Sequence, residues 1–154
     1  MTRTAVTADT VYADPSALLK LYRRERESAD FAAWRHRVRG ALPLTLHGEL
    51  EIVNAICRYG HGGLLDPETV RAALGSFSED IELGRYRRED PGWRAVLRRA
   101  MDLMRAHTAE VGTRTLDVVH VATALELELK NFVTFDERQA ELARRAGLRL
   151  VSIE

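Results

Sequence analysis

Short apolar runs alternate with longer segments of helical periodicity along this chain. The runs that predict strands are residues 11–14, 42–45, 81–83, 132–134 and 148–153. Helices are predicted to begin at Pro15 and Asp66, to extend from Asp90 to about Thr108, and to cover residues 28–39, 47–59, 115–129 and 136–146. Strands that alternate with helices favour a mostly parallel sheet covered on both faces. The chain is therefore expected to adopt an α/β fold.

The size and charge of the chain limit its partners and its location. Its 154 residues suit a single domain over residues 1–154, and its 23 basic and 23 acidic residues cancel, so no net field draws it to nucleic acid. No run approaches the roughly 18 apolar residues of a membrane span, so no membrane partner is expected. The single cysteine excludes an internal disulfide, and MTRTAVTADT lacks the apolar core of a secretory signal. A cytoplasmic location is expected.

Four acidic residues lie where apolar runs end or on helices with an apolar face. Asp14 and Asp136 follow predicted strands, and Glu51 and Asp117 lie on predicted helices. Carboxylates against apolar runs lose hydration unless something compensates, and ligands of parallel sheets collect at the carboxyl ends of the strands. Mg²⁺ and Mn²⁺ prefer oxygen ligands and leave coordination positions open for a phosphate. We expect the four acids to converge on such an ion and to support phosphodiester hydrolysis.

Several polar side chains near the four acids are candidates for holding a carboxylate, a metal-bound water or the substrate. They are Ser16, Asn54, Arg114, His120 and Thr134. Some of them have a purely structural alternative. Ser16 suits a helix cap, Thr134 suits a plain strand position, and a lone histidine such as His120 on an apolar helix face is commonly a packed residue. Arg114 fits a phosphate and a solvated surface equally well.

The second acid has a neighbour that competes with it. Glu49 and Glu51 lie in one acidic stretch, but Glu51 directly precedes Ile52 and stands three residues before Asn54. This spacing favours Glu51 as the inward carboxylate and Glu49 as the solvated one. The same helix is predicted to present one apolar stripe, formed by Leu50, Val53, Ile56 and Cys57.

Three stretches of the sequence resemble a known family. They are VYADPSALLKLYRRE, HGELEIVNAI and TRTLDVVHVATALELELKNFVTFDERQAELARRAGL, whereas residues 60–109 contain no matching motif. In this order they resemble the PIN domain, in particular the VapC-type toxins of bacterial toxin–antitoxin pairs. The resemblance implies a three-layer α/β/α fold with a central parallel sheet and an Mg²⁺- or Mn²⁺-dependent ribonuclease. It also implies a homodimer, and a cognate antitoxin protein whose tail enters the active-site groove.

By the same resemblance, the metal-binding acids are Asp14, Glu51, Asp117 and Asp136. Two other classes of function stay open from the residues alone. One is a PIN-like module that binds RNA or a protein without cleaving RNA. The other is a metal-dependent phosphohydrolase for small phosphate esters, for which Asp14 would be the nucleophile. Asp14 is followed by Pro15 and Ser16, however, and not by a second acid two residues on.

Overall fold

Helices cover both faces of a central parallel sheet in the computed structural model, which describes residues 5–153. The strands are β1 (Val11–Ala13), β2 (Leu42–Thr45), β3 (Tyr86–Glu89), β4 (Asn131–Val133) and β5 (Arg149–Leu150). The helices are α1 (Pro15–Leu18), α2 (Ser28–Arg37), α3 (Leu46–Arg58), α4 (Pro67–Glu82), α5 (Trp93–Leu103), α6 (Ala109–Val111), α7 (Thr115–Glu126) and α8 (Glu137–Arg145). A π-helical segment, Met104–Thr108, joins α5 to α6. The predicted α/β architecture is confirmed.

The ends of the chain and its membrane propensity bear on two further predictions. Residues 1–4 and 154 belong to the predicted single domain but lie outside the described residues, so its extent stays a prediction. Across residues 5–153, every helix is too short or too polar to cross a bilayer.

Parallel pairing places the ends of β1 and β4 side by side. Ala13 pairs with Val133, and the backbone N–H of Asp14 donates to the carbonyl of Val133 at 3.0 Å. β5 extends this sheet beyond β4, which gives the order β1–β4–β5. β2 and β3 form a separate parallel pair, in which β2 lies next to β1. Because parallel strands end at a common edge, the residues that follow β1 and β4 emerge together.

The side chains of β1 alternate between two apolar cores. Val11 and Ala13 pack into a core with residues of α2, α3 and α4, whereas Tyr12 packs into a second core with residues of α5, α7 and α8. This alternation follows from the two-residue period of a strand. It directs the Tyr12 side chain towards α7.

One strand prediction is wrong. Residues 81 and 82 belong to the last turn of α4, and the strand of this region is β3, four residues further on. β3 contains Arg87, Arg88 and Glu89, and only Tyr86 in it is buried. Its polar composition hid the strand, because a strand at the side of a sheet exposes much of its length.

The predicted apolar stripe of α3 is also largely wrong. Gly48, Ile52 and Ile56 face the core, whereas 67% of Leu50 and 38% of Val53 are exposed, and Cys57 is exposed as well. A side chain at position 48 would crowd the Thr45 hydroxyl, so the glycine allows the start of α3 to pack closely on the strand before it. The buried face of α3 is therefore centred on Gly48, Ile52 and Ile56, and not on the predicted stripe.

Candidate functional site

The four predicted acids line one cavity at the carboxyl edge of the sheet. The cavity has a volume of about 1240 Å³ and is bordered by Asp14, Glu51, Asp117 and Asp136. Asp14 and Asp136 are the N-caps of α1 and α8, and Asp117 lies in the first turn of α7. Glu51 comes from the middle of α3. The pairing of β1 with β4 and the packing of α3 and α7 beside them bring these distant residues together.

The Asp14 carboxylate is held on both oxygens by neutral donors. Its Oδ2 accepts hydrogen bonds from the backbone N–H of Ser16, at 3.0 Å, and from the Ser16 hydroxyl. Its Oδ1 accepts from the Nε2 amide of Gln139 at 2.9 Å. Ser16 thus bonds the Asp14 carboxylate, and the contact also caps α1.

Gln139 is a site residue that the sequence prediction missed. It is fully buried, and its Nε2 also lies 3.2 Å from the carbonyl oxygen of Asp117. Its Oε1 accepts from the Thr134 hydroxyl at 2.6 Å, and its backbone N–H donates to the Asp136 carboxylate at 2.8 Å. Thr134 thus acts behind the cavity, through Gln139. The spacing of Asp136 and Gln139 matches a capping box, and that signal could have drawn attention to Gln139.

The acids of the cavity influence one another electrostatically. Burial raises the pKa of Asp117, and the negative charges of Asp14 and Asp136 raise it further, against smaller lowering effects of His120 and Arg114. The cavity is thus an unfavourable place for an additional negative charge. A bound cation would relieve this repulsion.

His120 is a buried residue that borders the cavity and contacts Glu51. Its Nε2 is 2.5 Å from Oε2 of Glu51, and its Nδ1 is 2.6 Å from the hydroxyl of Tyr12. Burial by itself would lower the pKa of His120, but the hydrogen bond to Glu51 and the charges of Asp14 and Asp117 outweigh it and raise that pKa. Tyr12 is a second residue that the sequence prediction did not include.

Glu49 and Glu51 point to different surroundings. Glu51 borders the acidic cavity, whereas Glu49 accepts a hydrogen bond from Nη2 of Arg88 at 3.1 Å and borders a separate groove. The side chain of Arg88 is mostly exposed, so this ion pair lies at the protein surface. Of the two glutamates, Glu51 is therefore the one beside the other three acids, and its role as a metal ligand stays a prediction.

Basic and polar residues lie at the rim of the cavity. Asn54 and Arg114 border it, as do Arg58 and Arg138, and all four are exposed. Arg114 is the N-cap of α7, and its side chain has no acceptor for the first backbone N–H groups of that helix. These N–H groups and the arginines provide donors for an anion next to the carboxylates.

Comparison with known proteins identifies the fold family. The family model of the PIN domain matches residues 11–145, which is most of the chain. The chain belongs to the PIN domain family. PIN domains are generally nucleases and generally use divalent metal ions. Among curated proteins, none matches this sequence.

This PIN domain also resembles a solved structure. The crystal structure of FitAcB from Neisseria gonorrhoeae superimposes with a TM-score of 0.66 and 16% sequence identity. The match covers 92% of this chain and 96% of that chain. At this identity the similarity shows a shared fold.

The donor atoms of this PIN domain suit a hard divalent cation by their chemistry. In the part of the chain that the structure describes, no three side chains of His, Cys, Asp or Glu lie close enough together to hold one ion as they stand. The four acids nevertheless offer carboxylate oxygens to one cavity, which is the ligand type that Mg²⁺ and Mn²⁺ prefer. Ligation of a metal by Asp14, Glu51, Asp117 and Asp136 stays a prediction.

Proposed function

We propose that this PIN domain is an Mg²⁺- or Mn²⁺-dependent endoribonuclease and the toxin of a toxin–antitoxin pair. The observation that carries the proposal is the convergence of Asp14, Glu51, Asp117 and Asp136 on one cavity. All four acids lie within the residues that match the PIN domain, a family whose members are generally nucleases. Both carboxylates that follow a strand are anchored as helix caps, so the site has a rigid base.

The four acids would hold the ion, and other residues of the cavity would hold the RNA. The bound cation would polarise the scissile phosphate, lower the pKa of a bound water and stabilise the leaving oxygen. Gln139 and Ser16 keep the Asp14 carboxylate in place through neutral hydrogen bonds. Arg114 and the start of α7 are placed to bind a phosphate oxygen beside Asp117.

The rim of the cavity favours a polyanionic substrate over a small phosphate ester. Arg58, Arg114 and Arg138 lie at different points of the rim, on or next to three different helices. Their separation suits an RNA chain whose successive phosphates pass across the opening. Because the protein has no net charge, this local arrangement is what would attract RNA.

The antitoxin is proposed to bind the same groove. An open cavity bordered by four carboxylates also suits a basic side chain from a protein partner, which would occupy the position of the cation. Binding of this kind would inhibit cleavage by competition with the metal and with RNA. The proposal follows from the resemblance to VapC-type toxins.

A homodimer is proposed from an apolar surface formed by α3 and α5. We define this α3–α5 surface by its exposed residues, which are Leu46, Leu50, Val53, Trp93, Leu97 and Met101. His47 on α3 lies against Trp93 on α5, with ring centroids 4.5 Å apart, so the two helices begin next to each other. Exposed apolar residues in helical register on neighbouring helices are typical of a subunit interface.

The direct test is cleavage of RNA by purified protein with added Mg²⁺ or Mn²⁺. The Asp117→Asn variant removes a proposed ligand, and Asp102→Asn makes the same substitution at an exposed position on α5, where the side chain pairs with Arg105. We expect wild type and Asp102→Asn to cleave RNA, EDTA to stop cleavage, and Asp117→Asn to lose at least about 100-fold in kcat. RNA binding without metal-dependent cleavage in the wild type would support the non-catalytic alternative.

A further inference from the structure

A buried histidine in the wall of the cavity, with a buried tyrosine behind it, holds one of the four carboxylates. We propose that His120 is a positioning residue, fixed by Tyr12, which orients Glu51 for metal binding. This inference rests on the proposed function, because it assigns two supporting residues to one of the proposed metal ligands. Neither Tyr12 nor His120 would touch the metal or the RNA.

The chemistry of the groups fixes which atom donates in the hydrogen bond between His120 and Glu51. A carboxylate can only accept, so Nε2 of His120 carries the proton that points to Oε2 of Glu51, at 2.5 Å. Nδ1 shares its hydrogen bond with the Tyr12 hydroxyl, at 2.6 Å, and that hydroxyl is able to donate or accept. Both ring nitrogens are therefore occupied, and only 2% of His120 is exposed. His120 borders the cavity, but in this arrangement neither ring nitrogen is left to bond a substrate.

The imidazole is also fixed by stacking. His120 stacks on His47, with ring centroids 5.3 Å apart and an interplanar angle of 18°. Tyr12 lies at a tilt beside His120 and stacks on Phe132 of β4 at 5.6 Å. The tyrosine hydroxyl is thus anchored in the sheet, and the ring of His120 has aromatic neighbours on two sides. A ring held in this way has one orientation in which to meet Glu51.

The orientation of the His120 ring matters because α7 then positions two of the four acids. Asp117 belongs to this helix itself, and His120, one turn later, holds Glu51 from α3. Oε2 of Glu51 is bonded to His120, so the other carboxylate oxygen, Oε1, is not used by this contact, and Glu51 borders the cavity. Partners that hold a ligating carboxylate in this way commonly change metal affinity or activity by about 10- to 100-fold when they are removed.

The test combines three variants with a matched control. Tyr12→Phe removes one hydroxyl and keeps the stacked ring, His120→Leu removes both hydrogen bonds, and His120→Gln keeps an N–H donor near the position of Nε2. The control is Tyr86→Phe, which removes the hydroxyl of another buried tyrosine, one that bonds Tyr22 in the other core. Mn²⁺ affinity is measured by titration calorimetry on metal-free protein without RNA, and kcat and KM for RNA and the free energy of unfolding are measured separately.

We expect a graded loss of Mn²⁺ affinity. His120→Leu should weaken Mn²⁺ binding by about 10- to 100-fold, and Tyr12→Phe by about 3- to 10-fold. His120→Gln should bind Mn²⁺ more tightly than His120→Leu, and Tyr86→Phe should bind it like the wild type. At subsaturating Mn²⁺, kcat should fall in the same order while KM for RNA stays within about twofold, because the residues do not contact RNA.

Distinct outcomes separate failure of this inference from failure of the proposed function. If the wild type binds Mn²⁺ and cleaves RNA while Tyr12→Phe and His120→Leu bind Mn²⁺ equally well, the positioning role is wrong and the nuclease assignment stands. If His120→Gln and His120→Leu lose Mn²⁺ affinity equally, and both lose stability to the same degree, the positioning role of His120 is also wrong. A wild type that neither binds Mn²⁺ nor cleaves RNA would overturn both. Should His120→Leu fail to fold, Tyr12→Phe and His120→Gln decide the question.

Discussion

The Nε2 atom of Gln139 lies 2.9 Å from Oδ1 of Asp14 and 3.2 Å from the carbonyl oxygen of Asp117. One uncharged amide thus connects the residue that follows β1 with the first turn of α7, although the two lie about a hundred residues apart in sequence. Gln139 is completely buried, so its hydrogen bonds are shielded from water. It supports the site without adding charge to a cavity that is already acidic.

Removal of this amide should destabilise both the fold and the site. In Gln139→Leu, the Asp14 carboxylate and the Thr134 hydroxyl each lose a partner. We expect the free energy of unfolding to fall by about 2–4 kcal/mol, because a hydrogen bond to a charged group and one to a partly buried hydroxyl are lost together. Urea denaturation followed by circular dichroism measures this change, and a loss under about 1 kcal/mol would contradict it.

A carboxylate in place of the Gln139 amide should lower the stability of the metal-free protein. Gln139→Glu has nearly the volume of the wild-type side chain but sets a negative charge against Asp14. We expect lower stability than the wild type at neutral pH and a partial recovery as acid protonates the new pair. Stability measured against pH, with wild type in parallel, tests this; a curve parallel to that of the wild type would speak against the predicted repulsion.

The two glutamates of α3 should differ sharply in their effect on cleavage. Glu51→Gln removes a carboxylate of the cavity, and we expect kcat to fall by about 100-fold or more. Glu49→Gln breaks a surface ion pair with Arg88, and we expect activity within about twofold of the wild type and a stability change under about 1 kcal/mol. Cleavage assays on the two variants provide the measurement, and equal losses would show that Glu49 shares the role of Glu51.

His47 should make the protein less stable in acid. Burial, with a contribution from His120, lowers the pKa of His47 from 6.5 to about 4. The unfolded chain therefore binds a proton more readily than the folded one, so this contribution to stability is complete above pH 6.5 and is lost as the pH falls towards 4. Relative to His47→Phe, the wild type should lose about 1–2 kcal/mol over that range.

The control for His47 is the same substitution at an exposed histidine. His61 lies in the turn after α3, and His61→Phe should follow the wild-type dependence of stability on pH. Urea denaturation of the three proteins at several pH values gives the comparison. If His47→Phe and the wild type lose stability in parallel, His47 is not the group responsible.

A charge on the α3–α5 surface should prevent the proposed dimer. Leu46 is 78% exposed, and Leu46→Asp would place a carboxylate in the apolar interface. Leu83→Asp makes the same change at an exposed leucine outside this surface, at the end of α4. Light scattering after size exclusion should show a dimer for the wild type and Leu83→Asp and a monomer for Leu46→Asp. A monomeric wild type would rule out the homodimer at the concentration tested.

Sequence periodicity was sufficient for the architecture but failed where local and tertiary preferences differ. β1, β2 and β4 are buried strands, so the apolar runs in the sequence were sufficient to predict them. β3 was missed because most of its side chains are polar and exposed. The stripe of α3 was assigned to the wrong face. The apolar residues of this helix are spread over more than one side, and packing against the neighbouring strand decides which side is buried.

The sequence by itself determined the α/β class, the PIN-type motifs and the identity of the four acids, because these depend on residue type and on spacing along the chain. Only the tertiary structure decided which side chains support those acids. Gln139 reaches Asp14 across 125 positions and Tyr12 reaches His120 across 108, and no local pattern encodes contacts between residues so far apart. Such contacts arise when parallel pairing and core packing fix the distances between separate elements, and hydrogen bonds act only at those short distances.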